Sequence, residues 1–467
     1  MSPGGSLAAR LLNFCSWALR MLFVAIPDSH RWAAFAKPVS RVPVWLVGGD
    51  PFDNYPFRDN PGAVLPERVF AVVIGAGMIG ASAAYHWAKL AQQPLLVIEM
   101  NGVASGSAGR NEGLVVMGRY YAYVHRTVLA WLERARPELD REAAVALAHE
   151  FAAAYARAAY ANAEMIAETI AREGIECDYA RNGWVQAPGR HGVAALDTST
   201  QMARETGFCD WIKITSQEAF ERSGIRISTP AGFSIGAATW HPAKWVWGLM
   251  RIALASERVL LFTRTRALRV EDLGEEYAVS TSRGTVLARY VINATESHTP
   301  VLFPDFHDVI QPMQTQAASG VSDGGTMKAG IGISSDRAFY GRHGDQVLFG
   351  SDATRVPDRE AGRNQPSRFI TSFALTEMRA HFGVDRMHVT NEWSGTVSYT
   401  PDEFPIVGTM DDKRMYMIGG MAGSGSAVAF HAALHIVKKI CGIEDGRTDY
   451  YPERYFSPAR FRNQSKP

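Results

Sequence analysis

Gly75, Gly77 and Gly80 stand in the run Gly-Ala-Gly-Met-Ile-Gly, and Glu99 follows about twenty residues on. Glycines at this spacing let the backbone turn sharply and bring amides against a phosphate, with a helix dipole behind them. An acid at that distance suits the hydroxyls of a ribose. The chemistry open to these residues is the holding of a dinucleotide. The same six residues also read as a tight strand-to-helix turn with no ligand, and their surroundings must decide.

Those surroundings favour the nucleotide. Val69 to Ile74 is a continuous apolar run, the pattern of a parallel strand buried on both faces. Ala81, Ala83 and Ala84 suit a helix, Pro94 breaks it, and Leu95 to Ile98 forms a second buried strand with Glu99 at its end. Strand, glycines, helix, strand and acid fall in register over residues 67–100.

The chain has 467 residues, enough for two or three domains, and 47% of them are hydrophobic. A formal net charge of +1 gives no basic excess for nucleic acid and no acidic tail. Cys15, Cys177, Cys209 and Cys441 form no metal-ligand spacing and read as reduced thiols, so no metal site is expected. Residues 11–26 are apolar but interrupted by Arg20 and ended by Pro27, too short for a confident membrane span. No cleavage site follows, so a cytoplasmic chain is expected. Contact of residues 11–26 with a membrane surface stands beside a simple docked helix. Residues 28–66, rich in proline, glycine and aromatics, read as an ordered irregular arm wrapping the fold.

Further along, residues 137–173 are alanine-rich and glycine-free before Gly174, which predicts one long helix or a helical pair. Asn182 to Pro188 reads as a strand, and a helix starts near Pro242. Alternating segments follow through residue 293 and again over 330–352. "YMIGG" near 416 is a last buried strand, ending in a second glycine-rich turn, "GGMAGSGS", and a final helix. Two such turns could meet one ligand, the first at its pyrophosphate and the second at its far end. That arrangement favours a flavin over a nicotinamide.

At these motifs the sequence resembles the flavin-dependent oxidoreductases of the D-amino acid oxidase and glycine oxidase type, which include sarcosine oxidases and gamma-glutamylputrescine oxidase. The matching residues are "VVIGAGMIG", Glu99, "SGSAGRNEG", "WHPAKWVWGL", "YVINAT", "FYGRHGDQVLFGSD", "SYTPDEFPIVG" and "IGGMAGSGS". They span about 68 to 440, and the "GRN" loop looks closest to the putrescine-oxidase side. The resemblance implies an α/β fold, α+β overall, with a Rossmann-like FAD-binding domain and a second, antiparallel-sheet substrate domain. The expected FAD-binding domain is discontinuous, over 67–125, 240–300 and 390–445, and the substrate domain covers 126–239 and 301–389. An N-terminal extension of 1–66 and a tail of 446–467 lie outside.

The resemblance also assigns cofactor residues. Gly75, Ala76, Gly77, Met78, Ile79 and Gly80 would cradle the pyrophosphate, and Glu99 with Met100 would hold the adenosine ribose. Ser105, Ser107, Arg110, Asn111, Glu112 and Gly113 would form the loop passing the flavin. Thr265 would touch the adenine edge through its backbone, and Ala294 and Thr295 would lie beneath the pyrophosphate. Gly423, Ser424 and Gly425 would offer amides to the pyrimidine side of the ring, where reduced flavin carries negative charge.

Three positions depart from the family pattern. Gly395 stands where sarcosine oxidases carry the cysteine that tethers flavin, so non-covalent FAD is expected. Val397 and Ala427 stand where relatives place basic residues for a substrate carboxylate, and burying an unpaired carboxylate is costly. Glu112 replaces a glycine of the "GRNGG" form of the loop, and could attract a cationic amine or point to solvent. Tyr399, Arg342 and His241 are the candidates for the catalytic pocket. Tyr399, like Trp393, flanks the position of the missing cysteine; against the other two stand a hairpin turn around Gly344-Asp345 for Arg342 and a helix cap for His241. The expected activity is oxidation of a C–N bond in a small amine or amino acid, by hydride transfer to flavin N5 and hydrolysis of the imine. The electrons pass to oxygen or another acceptor. A flavin dehydrogenase with a non-oxygen acceptor and a non-catalytic flavin-binding protein are the alternatives.

Overall fold

Buried apolar runs laid side by side build the first sheet of the computed structural model. It describes residues 7–31, 33–117, 121–188, 192–208, 211–335, 338–411, 413–444, 446 and 448–461. The sheet runs in the order Ile406–Thr409, Met415–Gly419, Gly284–Asn293, Arg68–Ile74, Leu95–Ile98, Val259–Phe262. The last five strands are parallel, and a hairpin of Ala267–Asp272 and Tyr277–Thr281 adds antiparallel to Gly284–Asn293. Alternate residues separate the faces. Ala71, Val73, Leu95 and Val97 pack with the helices Met78–Leu90, Pro242–Leu254 and Ala429–Cys441. Val72, Ile74, Leu96 and Ile98 meet Phe57, Phe262 and the hairpin on the other side.

Register decides where a ligand can lie. Ile74 pairs with both Ile98 and Asn293, and Asn293 with Met417. Gly75, Glu99, Ala294 and the turn after Gly419 therefore share one edge. This is the crevice beyond the carboxyl ends of parallel strands, where such sheets bind ligands.

The second sheet runs Arg386–Tyr399, Gln311–Asp323, Gln346–Arg355, Ala338–His343, Gly332–Ser335, Trp184–Ala187, Ala231–Ser234, Trp211–Ile214. All its pairings are antiparallel except that of Gly332–Ser335 with Trp184–Ala187. Arg386–Tyr399 pairs along its whole length with Gln311–Asp323, so it carries residues 390–399 into the second sheet rather than the first. Its alternation explains this. One side packs on the helix Arg368–Phe382, where Thr371 bonds Glu392, and the other faces the first domain.

The alanine-rich stretch forms a single helix, Arg141–Glu173. Asp140 caps it by accepting from the amide of Ala143, and Gly174 ends it in a left-handed conformation at φ 63°. At the N-terminus, Pro27 does not end the helix. Leu7–Arg20 continues through a π-helical turn, Met21–Ala25, into Ile26–Arg31. The widened turn, closed by the Ile26 amide on the Met21 carbonyl, makes room for the proline ring that a regular helix would exclude.

The arm then crosses both sheets. Ser40 exchanges backbone bonds with Thr390 and Glu392 at the edge of the second sheet. Trp45 and Leu46 pass over the loop before Gly113, and Tyr55 exchanges bonds with Thr263 at the first sheet.

Candidate functional site

The glycine turn is built for close approach. Gly75 sits at φ 107°, and a Cβ there would lie 2.7 Å from the Ala294 carbonyl oxygen. A Cβ on Gly80 would lie 1.8 Å from the Gly75 carbonyl oxygen, so only glycine lets helix and turn meet. Gly77 differs. A Cβ there would meet nothing nearer than the Ala108 Cβ at 3.9 Å, and no side chain caps the helix that Gly77 begins. The space left by its missing side chain adjoins the helix N-terminus, where anions are favoured.

Glu99 follows at the end of the next strand. Its carboxylate accepts from the amides of Ala76 and Asn101, each at 2.8 Å. Burial pushes its pKa up, while these amides hold it down. The half-buried Met100 follows it directly. Thr265 is buried beside it and donates its amide to the Glu99 carbonyl. Ala294 bonds the Ile74 carbonyl through its amide, and Thr295 turns its hydroxyl onto Asn293 at 2.6 Å.

The loop 105–113 is stapled from several sides. Arg110 donates from Nε to the Ser105 carbonyl and from Nη1 to the Ser394 carbonyl, at 2.9 and 3.0 Å. Trp393 Nε1 donates to the Arg110 carbonyl at 3.0 Å. Asn111 bonds the carbonyls of Ser107 and Ala108 and receives the Gly113 amide. Trp45 Nε1 closes the loop from outside by donating to the Asn111 carbonyl at 2.7 Å. Glu112 has no partner among the described residues, and burial raises its pKa to about 7.

The second glycine turn faces the same crevice. Ser424 gives its amide to the Met421 carbonyl, and a Cβ on Gly423 would lie 3.7 Å from the Tyr399 hydroxyl. Gly425 opens the short helical turn that follows. Tyr399 shares its side of the strand with Trp393, Gly395 and Val397, because residues two apart face together. Gly395 lies under Arg110, whose Cβ would be 3.2 Å from a Cβ at that position. The slot for a tethering side chain is thus covered by arginine.

The three catalytic candidates do not converge. His241 is the helix cap, its Nδ1 accepting from the Lys244 amide at 3.2 Å, and burial lowers its pKa to about 4. His241 and Arg342 line a cavity of about 450 Å³ with Trp45, Ser319 and His343. The rings of His241 and His343 lie edge-on to Trp45, with centroids at 5.0 and 4.7 Å. Tyr399 is elsewhere. It pairs with Gln311, whereas Arg342 is joined through Val347 to Gly320 on the same neighbouring strand. Nine residues of extended chain put roughly 30 Å between them. Sequence proximity to shared motifs could not show that separation.

Sequence reasoning missed Glu296. It takes a left-handed conformation at φ 51°, and its carboxylate receives the Ser398 hydroxyl and, at 3.1 Å, the Met421 amide. Burial raises its pKa. One side chain thus links the strand end at Asn293, the second sheet and the second glycine turn. The available signal was an acid directly after the "NAT" strand end.

Fold and site together define a two-sheet, nucleotide-binding oxidoreductase. The chain belongs to the DAO family of FAD-dependent oxidoreductases, which it matches over residues 71–438. Its cofactor is FAD. No curated protein matches the sequence. Among solved structures it is similar to L-proline dehydrogenase from P. horikoshii, with 19% identity over 85% of this chain and 99% of that one and a TM-score of 0.67. Glycine oxidase from Geobacillus kaustophilus shares 15% identity over 84% of this chain and 98% of its own, with a TM-score of 0.65. L-amino acid deaminase from Proteus vulgaris shares 15% over 86% and 98%, with a TM-score of 0.66. At these identities the likeness carries the fold.

Proposed function

We propose that the chain oxidises the C–N bond of a small amine to an imine, which water then hydrolyses, with FAD held without a covalent tether. The residues present fit this cofactor. The open cradle at Gly77 and the uncapped helix behind it would hold the pyrophosphate. Glu99 would exchange the Ala76 amide for ribose hydroxyls. The loop 105–113 and the turn at Gly423 would flank the ring. When bound, FAD supplies the hydride acceptor at N5.

One observation carries the preference for an amine. The side of the strand that faces the loop presents Trp393, Gly395, Val397 and Tyr399, with no cation. Arg110, which lies across it, spends its guanidinium on two backbone carbonyls. Arg342 stands roughly 30 Å from Tyr399, and Arg119 lies outside the described residues. A carboxylate entering here would meet no cation on the strand and only an arginine already held by backbone carbonyls, so it would give up water for a poorly available partner. Glu112, whose pKa burial raises to about 7, adds a carboxyl that an incoming ammonium group would draw toward its ionised form. Tyr399 and Val397, both half-buried, would wall the pocket and orient the C–H bond.

Purified yellow protein tests this directly. Acid precipitation should release the flavin to the supernatant, and a pellet that stays yellow contradicts the missing tether. Under anaerobic conditions a diamine should bleach the flavin faster than glycine, sarcosine or a D-amino acid. Bleaching by glycine or a D-amino acid and not by the diamine overturns the substrate class. Peroxide formed on readmitting air identifies oxygen as the acceptor, and dye reduction without peroxide identifies a dehydrogenase.

A further inference from the structure

Eight exposed large apolar side chains crowd into Leu11–Val24: Leu11, Leu12, Phe14, Trp17, Leu19, Leu22, Phe23 and Val24. Leu12 is 75% exposed and Phe23 73%. The segment holds to the body by its other side. Met21 and Ala25 are buried where the turn meets the helix Arg368–Phe382, and Arg20 pairs with Glu377 and lies over the Phe373 ring. At about 100° per residue, Trp17, Phe14, Leu11, Leu19 and Leu12 sweep an arc of roughly 220°, leaving Ser16 and Arg20 on the remainder. Phe369, one turn before Phe373, is also exposed. Apolar patches of this kind mark interaction surfaces.

Charge indicates what covers it. The first 49 residues carry Arg10, Arg20, Arg31, Lys37 and Arg41 against the single acid Asp28, in a chain whose formal net charge is only +1; Arg20 is taken by Glu377 and Arg31 lies 3.8 Å from Asp28, so the excess rests on Arg10, Lys37 and Arg41. Arg31, Lys37 and Arg41 are exposed where the helix gives way to the arm. Basic residues flanking an aromatic-rich apolar helix match an anionic lipid surface, with the helix lying in the headgroup boundary. No helix among the described residues is long and apolar enough to cross a membrane. An arc wider than half the helix also exceeds the narrow seam that a second helix would cover.

We infer that Leu11–Val24 is an interfacial helix that seats this protein on an anionic lipid surface. The arrangement is independent of the flavin chemistry and is tested without it. The full chain with its flavin is sedimented with vesicles of phosphatidylcholine alone or containing phosphatidylserine. It should partition to the phosphatidylserine vesicles, and added salt should weaken this. The pair Leu12→Glu and Phe23→Glu should lower partitioning about tenfold or more while flavin absorbance and far-ultraviolet dichroism stay unchanged. Failure to sediment with either vesicle overturns the inference, as does unchanged partitioning of the double variant. A dimer in sedimentation velocity that the same substitutions dissociate, without vesicle binding, assigns the patch to a second copy of the chain instead.

Discussion

Glu112→Gln isolates one carboxyl whose proton the fold controls. Burial lifts its pKa from 4.5 to about 7. Between those values the folded protein holds a proton that the unfolded chain has lost, so stability falls as pH rises. At about 1.4 kcal/mol per unit the loss approaches about 3 kcal/mol once pH exceeds the folded pKa. That is an upper figure, because some solvent reaches the carboxyl and screens it. His241, lowered to about 4, and His86, lowered to about 3, act the other way, losing stability as pH falls below 6.5. The difference between variant and parent cancels them. Urea unfolding of the flavin-free proteins, followed by fluorescence across the window, should show the variant gaining on the parent as pH rises. The gap should open by about 2–3 kcal/mol. Parallel curves would refute the reasoning and place the carboxyl in solvent.

Gly77→Val should abolish flavin binding while leaving the melting temperature of the flavin-free protein near the parent's, since its Cβ meets nothing closer than 3.9 Å. Retained stoichiometric flavin would move the pyrophosphate elsewhere. Gly80→Ala should instead destabilise the protein by about 3 kcal/mol or more, measured by urea unfolding, because its Cβ lands 1.8 Å from a backbone oxygen. Arg460→Ala should cost about 3–5 kcal/mol, because it strands the buried carboxylate of Asp402, which Arg460 Nε reaches at 2.8 Å. Faster proteolysis of residues 446–461 in that variant would report the freed tail.

The nucleotide half was legible because its signals are local. Each strand of the first unit is a short apolar run, each turn carries its glycine, and Asp140 and Gly174 bracket a helix whose ends need nothing distant. The second sheet was harder to read. Trp211–Ile214 and Ala231–Ser234 are four-residue strands made real by their neighbours, and Arg386–Tyr399 crosses the expected boundary at 390 because pairing with Gln311–Asp323 outweighs sequence order. The site divided in the same way. Gly75, Glu99 and Ala294 align because parallel register puts strand ends together, a rule the sequence contains. The distance between Arg342 and Tyr399, the bracing by Glu296 and the reach of Trp45 depend on long-range contacts that no local pattern encodes. Pro27 misled because a single π-helical turn can absorb a proline.

The arm from Ser40 to Tyr55 has an unusual place in the history of each molecule. It leaves the ribosome well before the segments that anchor it. Thr263 receives Tyr55 across 208 positions, and Asn391 reaches the Val42 carbonyl across 349. Contacts this remote in sequence form late, after loop closure has been met by other structure. Through most of synthesis the arm, and the apolar helix before it, can have no docking site on their own protein. Residues made long before their partners are thus late to find their place, and throughout that wait the apolar helix is exposed to any surface near the growing polypeptide.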